Sequence, residues 1–185
     1  MRIKIITSNA GKMREYAQAL EGLGLEAFQG SVPYDEIQAD TLEEVVGHGM
    51  RDLMLKEDSF IIDDSGLFID HLNGFPGVYS AYVLKTLGNQ GVLKLVEGVS
   101  ERDARFECCI GCKLPGKEPF IVSASCEGFI LDAPRGEGGF GFDPIFSSDG
   151  VRSFSELDMG EKNAISHRGL AVKKLAERIE SEGSL

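Results

Sequence analysis

Two runs between positions 105 and 126 constrain the fold more than any other feature of the chain. From Arg105 to Leu114 the residues alternate: Phe106, Cys108, Ile110, Cys112 and Leu114 share one side, and Arg105, Glu107, Cys109, Gly111 and Lys113 the other. Such alternation marks a strand, whose successive side chains point to opposite faces. After Pro115-Gly116 the pattern resumes, with Phe120, Val122, Ala124 and Cys126 on a common face. The two runs predict a hairpin with one inner face, and a slip of one residue would turn that face to water.

The rest of the chain supplies cover for it. Ile3 to Thr7 is a short β-branched run ending at Ser8-Asn9, which predicts a buried strand. Met13, Tyr16, Ala17 and Leu20 follow at helical spacing, with Gly22 and Gly24 closing the helix. Leu25 to Phe28 reads as a second strand, and 33–40 as irregular and acidic. Thr41-Leu42-Glu43-Glu44 is a capping box opening a helix to about Leu55. Ser59 to Asp63 predicts a third strand and Gly66 to Gly77 a long Gly-rich loop. Tyr79 to Leu87 and Val92 to Val96 read as helices broken by Gly88-Asn89. Gly136 to Gly141 is a second Gly-rich loop, and Val172, Leu175, Ala176 and Ile179 stripe a last helix. No repeat or linker interrupts the series, so the expectation is one α/β domain over 1–185, in two lobes with a cleft between them. A chain of 185 residues buries roughly 70% of its unfolded surface and needs no staples.

Charge and cysteine usage exclude several function classes. Lys and Arg number 19 against 30 Asp and Glu, a net charge of −11. That balance opposes a long phosphate backbone, so no nucleic-acid partner is expected, whereas a small polyanion held with a divalent metal remains compatible. No run of 18 apolar residues exists and the N-terminal apolar run is too short for a signal peptide, so a cytoplasmic protein with no membrane partner is expected. Cys109 and Cys112 have C-x-x-C spacing, but on a strand they face opposite sides and cannot share an ion. The cysteines therefore read as core, with Cys108 facing Cys126 if the hairpin turns about Lys117.

Four segments carry candidate chemistry. Thr7-Ser8-Asn9-Ala10-Gly11-Lys12 joins the first strand to the first helix, and a helix N-terminus presents unpaired N–H groups that suit phosphate; the spacing is not that of a Walker A loop. Taken alone, this stretch reads as an ordinary N-cap followed by a lysine. Asp63-Asp64-Ser65-Gly66 places two carboxylates at a strand end, where one would face a site as a Mg²⁺ ligand or general base. Gly136 to Gly141 matches G-x-G-x-x-G in letters, but Ala133-Pro134-Arg135 precedes it and Phe142-Asp143-Pro144 follows, so it is no dinucleotide fingerprint. Its Phe140 and Phe142 are either base-stacking rings or core. Last, Ser166 can cap the final helix and leave His167 and Arg168 in its first turn, where cations oppose the helix dipole. A broken local rule of that kind points to function.

Together the segments resemble the inosine/xanthosine triphosphate pyrophosphatase family. The matching stretches, in order, are T-S-N-A-G-K (7–12), E-I-Q (36–38), D-D-S-G-L (63–67), G-F-P-G-V-Y-S-A (74–81), G-G-F-G-F-D-P-I-F (138–146) and E-K-N-A-I-S-H-R-G (161–169). The resemblance implies a mixed central sheet flanked by helices and a homodimer. It also implies Mg²⁺-dependent cleavage of ITP, dITP and XTP to the monophosphate and pyrophosphate, by water attacking the α-phosphate. By position, Glu36 and Asp64 would hold the metal, with Asp64 the base. Thr7, Ser8, Asn9, Ala10, Gly11, Lys12 and Ser65 would cradle the triphosphate, and Lys162 would bind substrate. Phe140, Gly141, Phe142, Asp143, His167 and Arg168 would hold the base. Two departures accompany the match. Val46 to Arg51 lacks the lysine that many relatives carry on the second helix, leaving His48 or Arg51 to stand in or the contact absent. Phe142 stands where relatives often have Tyr or Trp.

Overall fold

The alternating runs pair as their spacing demands, and one strand outruns its expected end. The structure, a computed structural model, describes residues 2–21 and 24–181. Strand β1 (Arg2–Ile6) leads into helix α1 (Ala10–Glu21) and lies parallel to β2 (Glu26–Gly30), with Ile3 opposite Ala27. On its other side β1 meets β3 (Phe60–Ile69), again in parallel, at Ile5 and Ile61. Strands β4 (Asp103–Lys113), β5 (Phe120–Ile130) and β6 (Phe146–Ser147) continue antiparallel. The result is a mixed six-stranded sheet in the order β2-β1-β3-β4-β5-β6. Gly24 closes α1 at φ +72, whereas Gly22 lies outside the described residues.

Three sequence expectations need correction. Residues 66–69 are strand, not loop, because the long β4 pairs with β3 from Phe60↔Lys113 through to Ile69↔Ala104. Gly66 is there for close approach: a Cβ at that position would strike the Gly77 carbonyl. Gly88 does not merely break helices, since it starts α4 (Gly88–Leu95) at φ +64 directly after α3 (Ser80–Thr86). Nor does Cys108 face Cys126; their partners are Ala124 and Phe106. The hairpin turns on Pro115-Gly116, with Lys117 N–H on the Leu114 carbonyl at 3.2 Å and Gly116 at φ +69, as a type II turn requires. Cys109 and Cys112 do lie on opposite faces, and among the described residues no disulfide forms. Burial pushes the thiols of Cys108 and Cys109 up to about 12 and that of Cys126 to about 11, so all three stay protonated at neutral pH.

Packing divides the molecule at the middle of β3. One face of the sheet buries Ile5, Ile110 and Cys112 under Tyr16 and Leu20 of α1 and Val172, Leu175 and Ile179 of α6 (His167–Ser181). The other face packs Phe60, Ile62 and Cys109 under Leu42, Val46, Met50 and Leu53 of α2 (Leu42–Leu53). Helix α2 starts with the expected box: Glu44 N–H donates to Thr41 Oγ1 and Thr41 N–H to the Glu44 carboxylate, both at 3.2 Å. Such a cap stabilises by about 1 kcal/mol. A third cluster, including Leu67, Ile69, Val83, Val92, Phe106, Phe146 and Phe154, fills the distal ends of β3 and β4. Two lobes follow, and Asp63, Asp64 and Ser65 sit where they meet.

Candidate active site

The β1–α1 turn supplies one wall. Asn9 caps α1 with its side-chain oxygen, which accepts Gly11 N–H at 2.8 Å and Lys12 N–H at 3.1 Å, and the amide nitrogen is the group left to donate to a ligand. Thr7, Ser8, Asn9 and Lys12 line an open cleft of about 860 Å³ together with Tyr34, Glu36, Asp63 and Asp64. Tyr34 donates its hydroxyl to Glu36 Oε1 at 3.2 Å. Ala10 is an exposed helix residue outside that lining, and Gly11 is buried against Phe140. A Cβ on Gly11 would stand 2.6 Å from the Phe140 ring. Gly11→Ala is therefore expected to push the ring aside and cost about 1–3 kcal/mol, read as a lower melting temperature. An unchanged melting temperature would mean that the 136–141 loop yields freely.

Opposite faces of β3 give the two aspartates different environments. Asp64 points into the cleft and accepts Ser65 N–H at 2.8 Å. Burial lifts its carboxyl above the ordinary range, and the charges of Asp63 and Glu36 add to that, against Lys12. Asp63 is buried beneath, where its Oδ2 meets Lys12 Nζ at 3.0 Å and Arg168 Nε at 3.4 Å. Burial would raise Asp63 too, but the two cations outweigh it and hold the carboxyl below its usual value.

Behind the carboxylates lies a smaller cavity of about 140 Å³, which Asn9, Lys12 and Asp64 also line. Helix α5 (Met159–Ile165), opened by the Asp158 capping box, delivers Lys162 to Glu15 at 2.6 Å and Asp143 at 2.5 Å. Asp143 also accepts Phe140 N–H at 2.7 Å. Burial raises the Asp143 carboxyl and Lys162 only partly offsets it. The Phe140 ring is approached by Lys162 at 4.9 Å and by Arg168 at 5.6 Å. Phe142 and Gly141 border the cavity, with Phe142 also packed in the distal core and the Gly141 carbonyl accepting from Asn89 at 3.2 Å.

Ser166 caps α6 as expected, its Oγ accepting Gly169 N–H at 3.1 Å. The awkward first-turn cations are resolved in two ways. His167 is neutral, because burial and then Arg168 depress its pKa well below the ordinary value, and its ring stacks on Phe106 at 4.6 Å. Arg168 keeps its charge between Glu15 and Asp63, and donates to Ser65 Oγ at 3.0 Å. Three cations, Lys12, Lys162 and Arg168, thus interleave with three carboxylates, Glu15, Asp63 and Asp143.

Sequence reasoning did not single out Glu15, Tyr34 or Asp63's pairing role. Glu15 finds its cations 147 and 153 residues away, a separation no local pattern encodes. Neither His48 nor Arg51 lines the cleft; Arg51 lies beside Gly47 and Ile121 on the outer side of α2. Among the described residues no group of three His, Cys, Asp or Glu side chains is arranged to hold a metal unaided.

A mixed α/β sheet with a capped helix N-terminus facing two carboxylates, and an aromatic cavity behind them, defines a protein that takes a small phosphorylated molecule in a cleft. The chain belongs to the Ham1 family, whose model matches residues 3–178. It is 50% identical over 178 residues to a dITP/XTP pyrophosphatase of Thermococcus kodakarensis, covering 95% of this chain and 96% of that one. It is 48% identical over 179 residues to the Pyrococcus horikoshii protein of the same name, covering 96% of both. Among solved structures, the Staphylococcus aureus Ham1 protein superposes with a TM-score of 0.82 at 28% identity, over 98% of this chain and 100% of that one. A HAM1 protein from Coxiella burnetii gives 0.81 at 33% identity, over 98% and 99%. The family resemblance drawn from the six segments, and the α/β fold it implied, are borne out.

Proposed function

We propose that the chain is a Mg²⁺-dependent pyrophosphatase that cleaves ITP, dITP and XTP to the monophosphate and pyrophosphate, removing these purines from the nucleotide pool. One observation carries the reading: Asn9, Lys12 and Asp64 line both the open cleft and the cavity behind it, so one ligand can lay phosphates in the first and a base in the second. The names of the relatives agree with it.

The donor set suits Mg²⁺, which takes one or two carboxylates and completes its shell with substrate phosphates and water. Glu36 and Asp64 are hard oxygen donors on one cleft; after burial, the Glu36 charge adds to Asp64's raised proton affinity, a repulsion that a divalent cation relieves. Bound there, the ion would neutralise phosphate charge as it develops. Asp64, which faces the cleft, accepts a proton from the water that attacks the α-phosphorus. Lys12 and the Asn9 side-chain amide hold the triphosphate oxygens at the N-terminus of α1. Phe140 stacks on the base. Arg168 has five N–H donors, of which Asp63, Glu15 and Ser65 engage three, leaving two for a 6-oxo group. Adenine presents a 6-amino donor instead and leaves those donors unpaired, a mismatch such sites reject strongly.

The reading takes the protein as a cytoplasmic homodimer. Its four cysteines without disulfides suit a reducing compartment. Exposed Ile37 and Ile121 lie beside Asp40, Glu43, Glu44 and Arg51, a patch carrying both charge signs as a two-fold contact needs. Pyrophosphate release from ITP, XTP, dITP, GTP, ATP and dTTP, with Mg²⁺ and then with a chelator, tests the function. ITP, XTP and dITP should lead, and the chelator should silence them. Activity mainly on dTTP would overturn the base site, and binding without release would make the protein a nucleotide-binding module.

A further inference from the structure

We propose that Asp63 is a positioning residue that couples the phosphate-side Lys12 to the base-side Arg168 and so sets how strictly 6-amino purines are refused. The inference rests on the proposed function and goes beyond it in assigning a specificity role to a residue outside the substrate contacts.

The geometry is asymmetric. Asp63's side chain is 1% exposed, yet it spends only one oxygen on its partners. Oδ2 meets Lys12 Nζ at 3.0 Å, Arg168 Nε at 3.4 Å and Ser65 Oγ at 3.3 Å, while Oδ1 is buried without a hydrogen-bond partner. Carboxylate–arginine pairs frequently engage both oxygens, as a fork on a fork, and this one does not. Here all three guanidinium nitrogens are held separately, Nε by Asp63, Nη1 by Glu15 and Nη2 by Ser65, which fixes its plane.

Lys12 is the cation of the set that reaches the cleft. Its side chain is 17% exposed, it lines the cleft, and Asp63 holds it through both Oδ2 and the backbone carbonyl, each at 3.0 Å. Substrate phosphates compete with Asp63 for that ammonium. As Lys12 turns to them, Oδ2 is left to Arg168 and Ser65, and the arginine is held hardest at the moment a base must be read. Phosphate binding and base recognition are linked through this one carboxylate, and a linkage of this kind is reciprocal.

The test is Asp63→Asn, which keeps the shape and removes the charge. The ratio of kcat/KM for ITP over ATP is expected to fall tenfold or more, with KM for ITP rising more than kcat falls. A purely structural Asp63 would lower kcat/KM for ITP and ATP by the same factor, and that result overturns the proposal. Circular dichroism checks folding. Should Asp63→Asn not fold, Asp63→Glu keeps the charge one methylene farther away and is read by the same ratio. The parent protein keeps the two readings apart. No preference for ITP in the parent sinks the proposed function, whereas a parental preference that survives unchanged in the variant sinks only the role of Asp63.

Discussion

Asp64→Asn is expected to lower turnover of a 6-oxo purine triphosphate by about a thousandfold or more while leaving the protein at least as stable as the parent. The activity loss follows from removing a general base and one of two metal carboxylates in a single step. Stability goes the other way because the aspartate is strained by its neighbours. Its carboxyl is raised by burial first and then by the Asp63 and Glu36 charges, so the folded protein binds that proton more tightly than the unfolded chain does. A group shifted in this direction favours the fold below the ordinary carboxylate pKa, and the benefit is lost as pH rises through the folded value. At neutral pH ionised Asp64 therefore costs stability, and a neutral amide removes the cost while its oxygen still accepts Ser65 N–H. Single-turnover pyrophosphate release and melting curves at neutral and acidic pH check both halves. The melting advantage should shrink in acid, where the parent protonates. Near-parental turnover would remove Asp64 from the chemistry, and a lower melting temperature would make it a structural residue.

What is legible in the chain is what local neighbours determine. Alternation at 105–114 and 120–126 announced a hairpin because both faces have distinct neighbours, and Thr41 with Glu44 announced α2 because capping is local. Where β3 ended was not local. Gly66 looks like a loop residue until β4 is laid beside it, at which point the bare backbone is what lets Gly77 approach. The site divides the same way. His167 and Arg168 stood out because they broke a helix-end rule, and the rule was broken in sequence. The carboxylates that compensate, Glu15 and Asp63, lie 153 and 105 residues away on α1 and β3. Ion pairs of that reach depend on the packed sheet, so only the structure joins them.

The same network makes Lys162→Met strongly damaging to the fold. The ammonium lies between Glu15 Oε1 at 2.6 Å and Asp143 Oδ2 at 2.5 Å, near the rings of Phe140 and Phe154, and all three charged side chains are almost fully buried. Methionine fills much of the same volume but leaves two interior carboxylates short of their cation, a loss of about 3–5 kcal/mol. At about 2–4 °C per kcal/mol for a chain of this size, melting should fall by about 6–20 °C. The deficit has a sign in pH. Burial already raises the Asp143 carboxyl and Lys162 opposes it most, ahead of the Phe140 N–H, so without the lysine Asp143 prefers its proton still more. The variant should therefore recover in acid and fail further as pH rises, whereas the cost of a packing defect would not change with pH. Adding Asp143→Asn removes the stranded charge while its amide oxygen still accepts Phe140 N–H, and should restore part of the lost stability. A deficit that is flat in pH and indifferent to Asp143→Asn would mean that Lys162 contributes through its methylene stem, and the buried charge cluster would then be worth little to the fold.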